Sequence, residues 1–259
     1  YLWVWEGECN GNYEDSIIKP EWFNAAVDSH IKLGWEPTGL KRCGYDVADE
    51  GSDEKALALG QGSLVTHLES WLDGDVYDAT SKVFDRATEY QADVLTYDAV
   101  GVGTAVKVQL KDRIGVKGLE VTPFSGGEQA RDPQDAPYED GRPNKDVFRN
   151  VRAQYVWKMR ERFEATYRAV EKGVYADPEN MISLSSDIPH LSEVRAEVCR
   201  VQRKRGNNNF IQIESKQDMR SRGVPSPNRF DALYMLFANK PHSGQRRKRK
   251  QQYPRLAIA

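Results

Sequence analysis

The 259-residue sequence has few of the residues that build the commonest metal and redox sites. It contains 3 cysteines and 4 histidines. Because Cys9, Cys43 and Cys199 are far apart and form no CxxC pair, neither a disulfide framework nor a zinc ribbon is indicated. A reducing compartment is the simplest inference from this cysteine usage.

Two further absences narrow the class of protein. No stretch matches the phosphate-binding pattern GxxxxGK[ST], so the sequence carries no nucleotide-driven motor of that type. No run approaches the roughly 18 apolar residues of a membrane-spanning helix, and no leader with charged, apolar and small-residue regions is present. We therefore expect no membrane partner.

Charge is abundant but unevenly distributed along the chain. The net charge is −2, yet residues 1–100 carry 7 Lys/Arg and 20 Asp/Glu, whereas residues 101–259 carry 30 and 19. An acidic half beside a basic half is typical of a metal-dependent enzyme that acts on a polyanion. Ordinary solvated surfaces give the same counts, so this pattern alone decides nothing.

Composition shifts predict three regions. Residues 1–40 open on an apolar segment without an initiator Met. They contain a short helix starting at Pro20, which Gly34 and Pro37 interrupt. We interpret them as a connector or remnant of a preceding domain. Residues 41–240 form the main domain, which is within the usual size of a single domain. Residues 241–259 form a basic C-terminal tail.

Hydrophobic periodicity predicts the secondary structure of the main domain. Residues 41–47 alternate as a strand does, with Cys43 and Tyr45 on one face and Gly44 and Asp46 on the other. The elements that follow are strands at 56–59 and 64–71, a helix at 76–90, a strand at 94–97, a helix to about residue 113 and a strand at 119–123. This order predicts an α/β fold with a ribonuclease H-like core, in which helices flank a mixed five-stranded sheet.

The second half of the domain is predicted to be mainly helical. The longest helical pattern covers residues 147–172. Residues 195–201 and 210–213 are predicted to form an additional β-hairpin with a basic tip, near the candidate site. A helical turn ends at Gly223, and a last helix opens near Asn228, which suits the N-cap position.

Three aspartates are predicted to meet at one edge of the sheet. Asp46 ends the first strand and Asp98 the fourth, and these two ends are neighbours in a ribonuclease H-like sheet. Asp231, in the first turn of the last helix, can be brought to the same edge by packing. Each residue alone is an ordinary turn or helix-terminal aspartate. Together they predict a site for Mg²⁺ or Mn²⁺, which prefer carboxylate oxygens.

Four segments carry a family resemblance. They are residues 44–48, 95–103, 150–157 and 214–233, and together they resemble the C-terminal nuclease domain of the large terminase subunit, the DNA-packaging motor protein of tailed bacteriophages. The resemblance implies an endonuclease that cuts double-stranded DNA during viral genome packaging by two-metal-ion hydrolysis of the phosphodiester.

The resemblance also implies roles for particular residues. Asp46 and Asp98 would share ligation of the two ions, and Asp231 would bind the second ion. In that family a lysine precedes the third aspartate by a similar distance, which makes Lys216 a candidate catalytic group. The competing interpretation is a surface lysine that contacts a DNA phosphate. Asp53 is a candidate outer metal ligand, although a solvated loop acid is the simpler interpretation.

The implied partners are double-stranded DNA, the portal protein, the small terminase subunit and the ATPase domain of the same full-length chain, all in the host cell cytoplasm. Two alternatives remain open at the level of sequence. One is another ribonuclease H-like nuclease, of the Holliday-junction resolvase or transposase type. The other is a non-catalytic DNA-binding or docking domain, in which the aspartates only stabilise helix ends.

Overall fold

A computed structural model describes residues 15–48, 53–101, 103–114, 118–204 and 209–238. Its centre is a six-stranded mixed sheet in the order β5-β4-β1-β2-β3-β6. The strands are β1 (Lys41–Asp46), β2 (Lys55–Gln61), β3 (Leu64–Trp71), β4 (Val94–Asp98), β5 (Glu120–Phe124) and β6 (Ser183–Leu184). The predicted ribonuclease H-like α/β class is confirmed. The predicted strand count is one too low, because β6 is only two residues long and shows no periodicity.

The described residues include nine α-helices and one short 3₁₀ helix, at Pro178–Asn180. The α-helices are α1 (Pro20–Ala26), α2 (Ser29–Leu33), α3 (Val76–Glu89), α4 (Gly103–Ile114), α5 (Asn144–Val147), α6 (Val151–Lys172), α7 (Leu191–Arg200), α8 (Lys216–Ser221) and α9 (Asn228–Leu236). Local chemistry explains the ends of α6. The Asn150 side chain accepts a hydrogen bond from the backbone N–H of Ala153, and Gly173 ends the helix with a positive φ of 62°.

Strand β1 separates two apolar cores. Cys43 and Tyr45 are fully buried against α3 and α4. Gly44 and Asp46 therefore face the opposite side, where α9 packs across the sheet. The predicted alternation in this strand agrees with the structure, and it directs the carboxyl group of Asp46 toward α9.

Helix α9 approaches β1 so closely that only glycine fits between them. A Cβ atom at Gly44 would overlap the backbone oxygen of Ala232 and would lie 2.6 Å from the backbone nitrogen of Leu236. Every residue of α9 except Arg229 is buried. This contact fixes the helix that carries Asp231 beside the strand that ends in Asp46.

The predicted hairpin at residues 195–213 is wrong in its first strand. Residues 195–200 belong to α7, whose buried Val194, Val198 and Cys199 share one face of a helix, whereas in a strand Val198 and Cys199 would point to opposite faces. In the described part of this segment, residues 202–204 pair antiparallel with residues 212–214, through the bonds from Lys204 N to Gln212 O and from Glu214 N to Gln202 O. The predicted basic tip covers residues 202–207, of which residues 205–207 lie outside the described residues.

Residues 15–40 pack into the same apolar core as the rest of the domain. Ile17, Ile18 and Phe23 belong to the cluster formed with α6 and α9. The single predicted helix is two helices, because Asp28 between them adopts a left-handed conformation with φ 51°. Residues 1–14 and the predicted basic tail lie outside the described residues, so the three-region division stays a prediction. None of the described helices combines the length and apolarity needed to cross a bilayer.

Because α9 lies so close to Gly44, we expect a single added methyl group at this position to lower the stability of the domain. We expect Gly44→Ala to destabilise the domain by about 1–3 kcal/mol, because the added carbon forces α9 away from β1. Urea unfolding followed by circular dichroism measures this change. The matched control is Gly127→Ala, because Gly127 is exposed and nothing lies within 4 Å of its added Cβ. Equal stability of the two variants would contradict the packing argument.

Candidate active site

Two of the predicted aspartates stand at the ends of neighbouring parallel strands. Tyr45 of β1 is the register partner of Tyr97 of β4, and both rings lie in the core beneath α3 and α4. The next residues, Asp46 and Asp98, therefore emerge side by side on the α9 face. Asp46 is buried, whereas Asp98 is partly exposed and accepts a hydrogen bond from the backbone N–H of Val100 at 3.0 Å.

A lysine joins the third aspartate to the first. The Lys216 ammonium lies 3.2 Å from Asp46 Oδ2 and 3.3 Å from Asp231 Oδ2. It also donates to the side-chain oxygen of Asn228 at 3.1 Å. Lys216 is the first residue of α8, where Ser215 forms a capping box that fixes the start of the helix. One cation thus bridges two buried carboxylates from opposite ends of the chain.

An arginine holds the other side of Asp231. Arg152, in the first turn of α6, has Nη2 at 3.5 Å from Asp231 Oδ1 and donates from Nη1 to the backbone oxygen of Glu214 at 2.8 Å. The Glu214 carboxylate is itself held by Arg222, at 2.7 and 3.0 Å. The segment that leads into Lys216 is therefore anchored from both sides.

The electrostatics of the site oppose full ionisation of the carboxylates. Burial raises the pKa of Asp46 well above its usual range; Lys216 lowers this pKa, while Asp231 and Asp98 raise it. Burial also raises the pKa of Asp98, against the hydrogen bond from Val100. Burial alone would lower the pKa of Lys216, but Asp231 and Asp46 more than reverse this, so the lysine is held protonated. The cluster favours added positive charge.

The carboxylate oxygens of the site are of the chemical type that binds a hard divalent cation. Oxygens of Asp46 and Asp231 already converge on one positive group, and carboxylate oxygens are the ligands that Mg²⁺ and Mn²⁺ prefer. As arranged, no three His, Cys, Asp or Glu side chains among the described residues form a complete group around an ion. Mg²⁺ sites commonly hold few protein ligands and keep several waters, so an incomplete protein set does not conflict with such a site.

Asp53 and Asn228 make contacts that were not predicted from the sequence. Asp53 forms an exposed ion pair with Arg220, at 2.8 and 3.0 Å, and no contact links it to the aspartate cluster. Asp49 and Glu50, two other acids near it in the sequence, are also possible metal ligands but lie outside the described residues. The predicted N-cap is wrong: Pro227 occupies that position without a side-chain cap, and Asn228 is the first helical residue. Its side-chain oxygen serves Lys216 instead.

The sequence did not single out two residues that support the site, Arg152 and Glu197. Glu197 of α7 accepts a hydrogen bond from the backbone N–H of Phe230 at 3.1 Å and lies 3.3 Å from Arg229. It supplies to α9 the capping carboxylate that Pro227 cannot provide. Arg152 lies within the segment 150–157 that carries the family resemblance, but a single arginine or glutamate among many charged helix residues does not indicate which partner it contacts.

Comparison of the sequence with family profiles and of the structure with solved structures gives matches of the same kind. The sequence profile described as the terminase RNase H-like domain matches residues 49–239. The nuclease domain of the large terminase subunit of bacterial virus Sf6 is 38% identical, over 87% of this chain and 99% of that chain, with a TM-score of 0.82. The chain belongs to the terminase RNase H-like domain family.

Two variants of the Sf6 domain are similar to this terminase domain to nearly the same degree in sequence identity, coverage and TM-score. One, solved with manganese and beta-thujaplicinol, is 37% identical over 87% of this chain and 99% of that chain, with a TM-score of 0.83. Another, solved with calcium, is 37% identical over 87% and 100%, with a TM-score of 0.82. Among curated proteins no significant match exists. The resemblance inferred from the four sequence segments is confirmed.

The carboxylate that caps α9 predicts a pH dependence of stability. Burial raises the pKa of Glu197 from 4.5 to about 7, although the N–H of Phe230 and Arg229 act against this. A carboxyl with a raised folded pKa stabilises the fold below its ordinary pKa, and this contribution is lost as the pH rises through the folded value. At about 1.4 kcal/mol per unit, the contribution of Glu197 to the free energy of unfolding falls by on the order of 3 kcal/mol between pH 4.5 and 8.

We expect Glu197→Gln to remove that part of the pH dependence, so that its stability relative to the wild type rises as the pH increases. Urea titrations at a series of pH values from 4.5 to 8 measure this difference. Glu193→Gln is the matched control, because Glu193 lies on the same helix and contacts the same Arg229 from an exposed position. A constant stability difference between Glu197→Gln and the wild type over the whole range would refute the assignment.

Proposed function

We propose that this terminase domain cuts double-stranded DNA by metal-dependent hydrolysis of the phosphodiester bond during viral genome packaging. The observation that supports this most strongly is the shared contact of Asp46 and Asp231 with one cationic group, at the strand end beside Asp98. Membership of the terminase family favours this function over that of a junction resolvase or transposase.

A phosphodiester is an anion, so its hydrolysis requires charge neutralisation at the scissile group. The solved Sf6 relatives include forms with manganese and with calcium, which supports a divalent ion here. When bound, a pair of such ions lowers the pKa of the attacking water and stabilises the leaving oxygen. In this chain the residues that would hold them are Asp46 and Asp98, shared between the ions, and Asp231 on the second ion.

Lys216 is assigned to the same chemistry. Its ammonium already neutralises Asp46 and Asp231 and is held protonated by them. Part of its side chain reaches solvent, so the charge can also act on a phosphate oxygen that enters the site. These contacts favour a catalytic role over that of a surface lysine which binds the DNA backbone elsewhere.

The wider setting follows from the family and remains part of the proposal. The domain would act with the ATPase domain of its own chain, the portal protein and the small terminase subunit, in the host cell cytoplasm. DNA binding itself is expected to be largely independent of sequence, since it would rest on Lys and Arg contacts to phosphates.

Nicking of supercoiled plasmid in the presence of Mn²⁺ tests the proposed activity. We expect the wild type to nick and linearise the plasmid. Asp98→Asn should lower the rate roughly 1,000-fold or more, because loss of one member of a catalytic unit removes most of the rate enhancement that the whole unit provides. Asp85→Asn is the control, since Asp85 is exposed on α3, on the face of the sheet opposite α9. A wild-type protein that shows neither cleavage nor stabilisation by Mn²⁺ would be the non-catalytic docking domain.

The same assay separates the role of Lys216 from a structural one. Lys216→Ala is expected to cut the nicking rate by on the order of 100-fold, through lost electrostatic stabilisation, with a smaller effect on folding. Lys204→Ala is the matched control, because Lys204 is an exposed lysine whose contact is Asp218 rather than the cluster. Cleavage by Lys216→Ala at the wild-type rate would remove this residue from the site.

The substrate preference of the wild-type domain tests the alternative nuclease class. Preference for a four-way junction over linear duplex would favour a resolvase.

A further inference from the structure

We propose that Arg152 is a positioning residue, which orients the carboxylate of Asp231 and ties it to the segment that carries Lys216; this inference rests on the proposed function. Asp46 and Asp98 are placed by the sheet itself. Lys216 and Asp231, in contrast, come from two short helices near the end of the described chain. The structure assigns to one guanidinium group the task of holding these two elements together.

The guanidinium of Arg152 reaches three protein groups at once. Nη1 donates to the backbone oxygen of Glu214 at 2.8 Å, two residues before Lys216. Nη2 lies 3.5 Å from Asp231 Oδ1, and the side chain of Tyr234, one turn later on α9, also interacts with the Arg152 charge. Because α6 is a long helix with a well-defined N-cap, it provides a rigid base for these contacts.

The consequence for Asp231 is a defined orientation of its two oxygens. Arg152 contacts Oδ1 while Lys216 contacts Oδ2. Two cations on different oxygens oppose rotation of the carboxyl group about its last side-chain bond. Asp231 therefore presents Oδ2, and not Oδ1, to the side of the site where Asp46 lies.

Geometry and burial distinguish this role from direct binding of DNA. The Arg152 side chain is 17% exposed and that of Asp231 is 4% exposed, and both Nη atoms of the arginine contact protein groups. A guanidinium offers several donors in a rigid plane, whereas a lysine ammonium is a compact point charge without that planar fork. The plane of donors, and not the charge alone, is what the arrangement requires.

The test compares Arg152→Lys with the wild type by calorimetric titration of Mn²⁺ into the DNA-free domain, together with steady-state cleavage kinetics. We expect the affinity for Mn²⁺ to fall about 10–100-fold, as for other residues that orient metal ligands. The kcat should fall, while the KM for DNA should stay within about twofold of the wild type, because a positioning residue acts through Asp231 and not through ground-state binding.

Arg162→Lys is the matched control. Arg162 lies on the same helix and donates from Nη1 to a backbone oxygen, that of Met181, at 2.8 Å, away from the aspartate cluster. It should bind Mn²⁺ as the wild type does. A second variant, Tyr234→Phe, removes one partner of the guanidinium without removing a charge, and it should weaken Mn²⁺ binding a few-fold. It serves as the test if circular dichroism shows that Arg152→Lys does not fold.

Three results would overturn the inference: wild-type Mn²⁺ affinity in folded Arg152→Lys, an equal loss in Arg162→Lys, or a raised KM for DNA at unchanged kcat, which would make Arg152 a phosphate contact. Wild-type Mn²⁺ affinity in Tyr234→Phe counts against it in the same way. Failure of the proposed function has a different signature, since the wild-type domain would then show no Mn²⁺-dependent cleavage at all.

Discussion

The structure depends on one bridging contact, in which the ammonium of Lys216 lies between the carboxylates of Asp46 and Asp231. These two acids are buried, and each would be costly to ionise alone in such surroundings. The lysine offsets that cost and links the first strand of the sheet to the last described helix. Residues separated by most of the chain therefore form one local cluster, whose carboxylates favour further positive charge.

That cluster is possible only because α9 lies directly on β1. The absence of a side chain at Gly44 lets the backbones of β1 and α9 touch. Close-packed interiors transmit such constraints, since a shift of the helix would carry Asp231 with it. Glu197 at the N-terminus of α9 and Arg152 beside its first turn then fix the helix along and around its axis. Three separate elements thus determine the position of one carboxyl group.

Much of the fold could be predicted from the sequence, because its first half has strong local signals. The alternation in residues 41–47 and the helical stripe after Val76 correspond to β1 and α3. Prediction failed where local and tertiary signals differ. Residues 195–200 form part of a helix that buries Val194, Val198 and Cys199 against the core, and β6 is a two-residue strand defined by its pairing with β3.

The candidate site likewise contains residues that could be predicted from the sequence and residues that depend on tertiary contacts. Asp46 and Asp98 could be predicted to be neighbours, since topology alone places the ends of β1 and β4 together. The closeness of Lys216 and Asp231 came from the family resemblance as much as from the residues. Arg152, Glu197 and the contact of Asn228 with Lys216 could not be predicted, because each depends on how two helices meet in three dimensions. For Asp53, the ion pair with Arg220 is likewise a tertiary contact.

Asp46, Asp98 and Asp231 are proposed to hold divalent ions at the end of β1. This metal site can be tested by anomalous diffraction from crystals of the domain soaked in Mn²⁺. We expect manganese peaks at roughly 2–2.6 Å from carboxylate oxygens of these three residues. Manganese bound only at other carboxylates, with the Lys216 ammonium still between Asp46 and Asp231, would contradict the proposal.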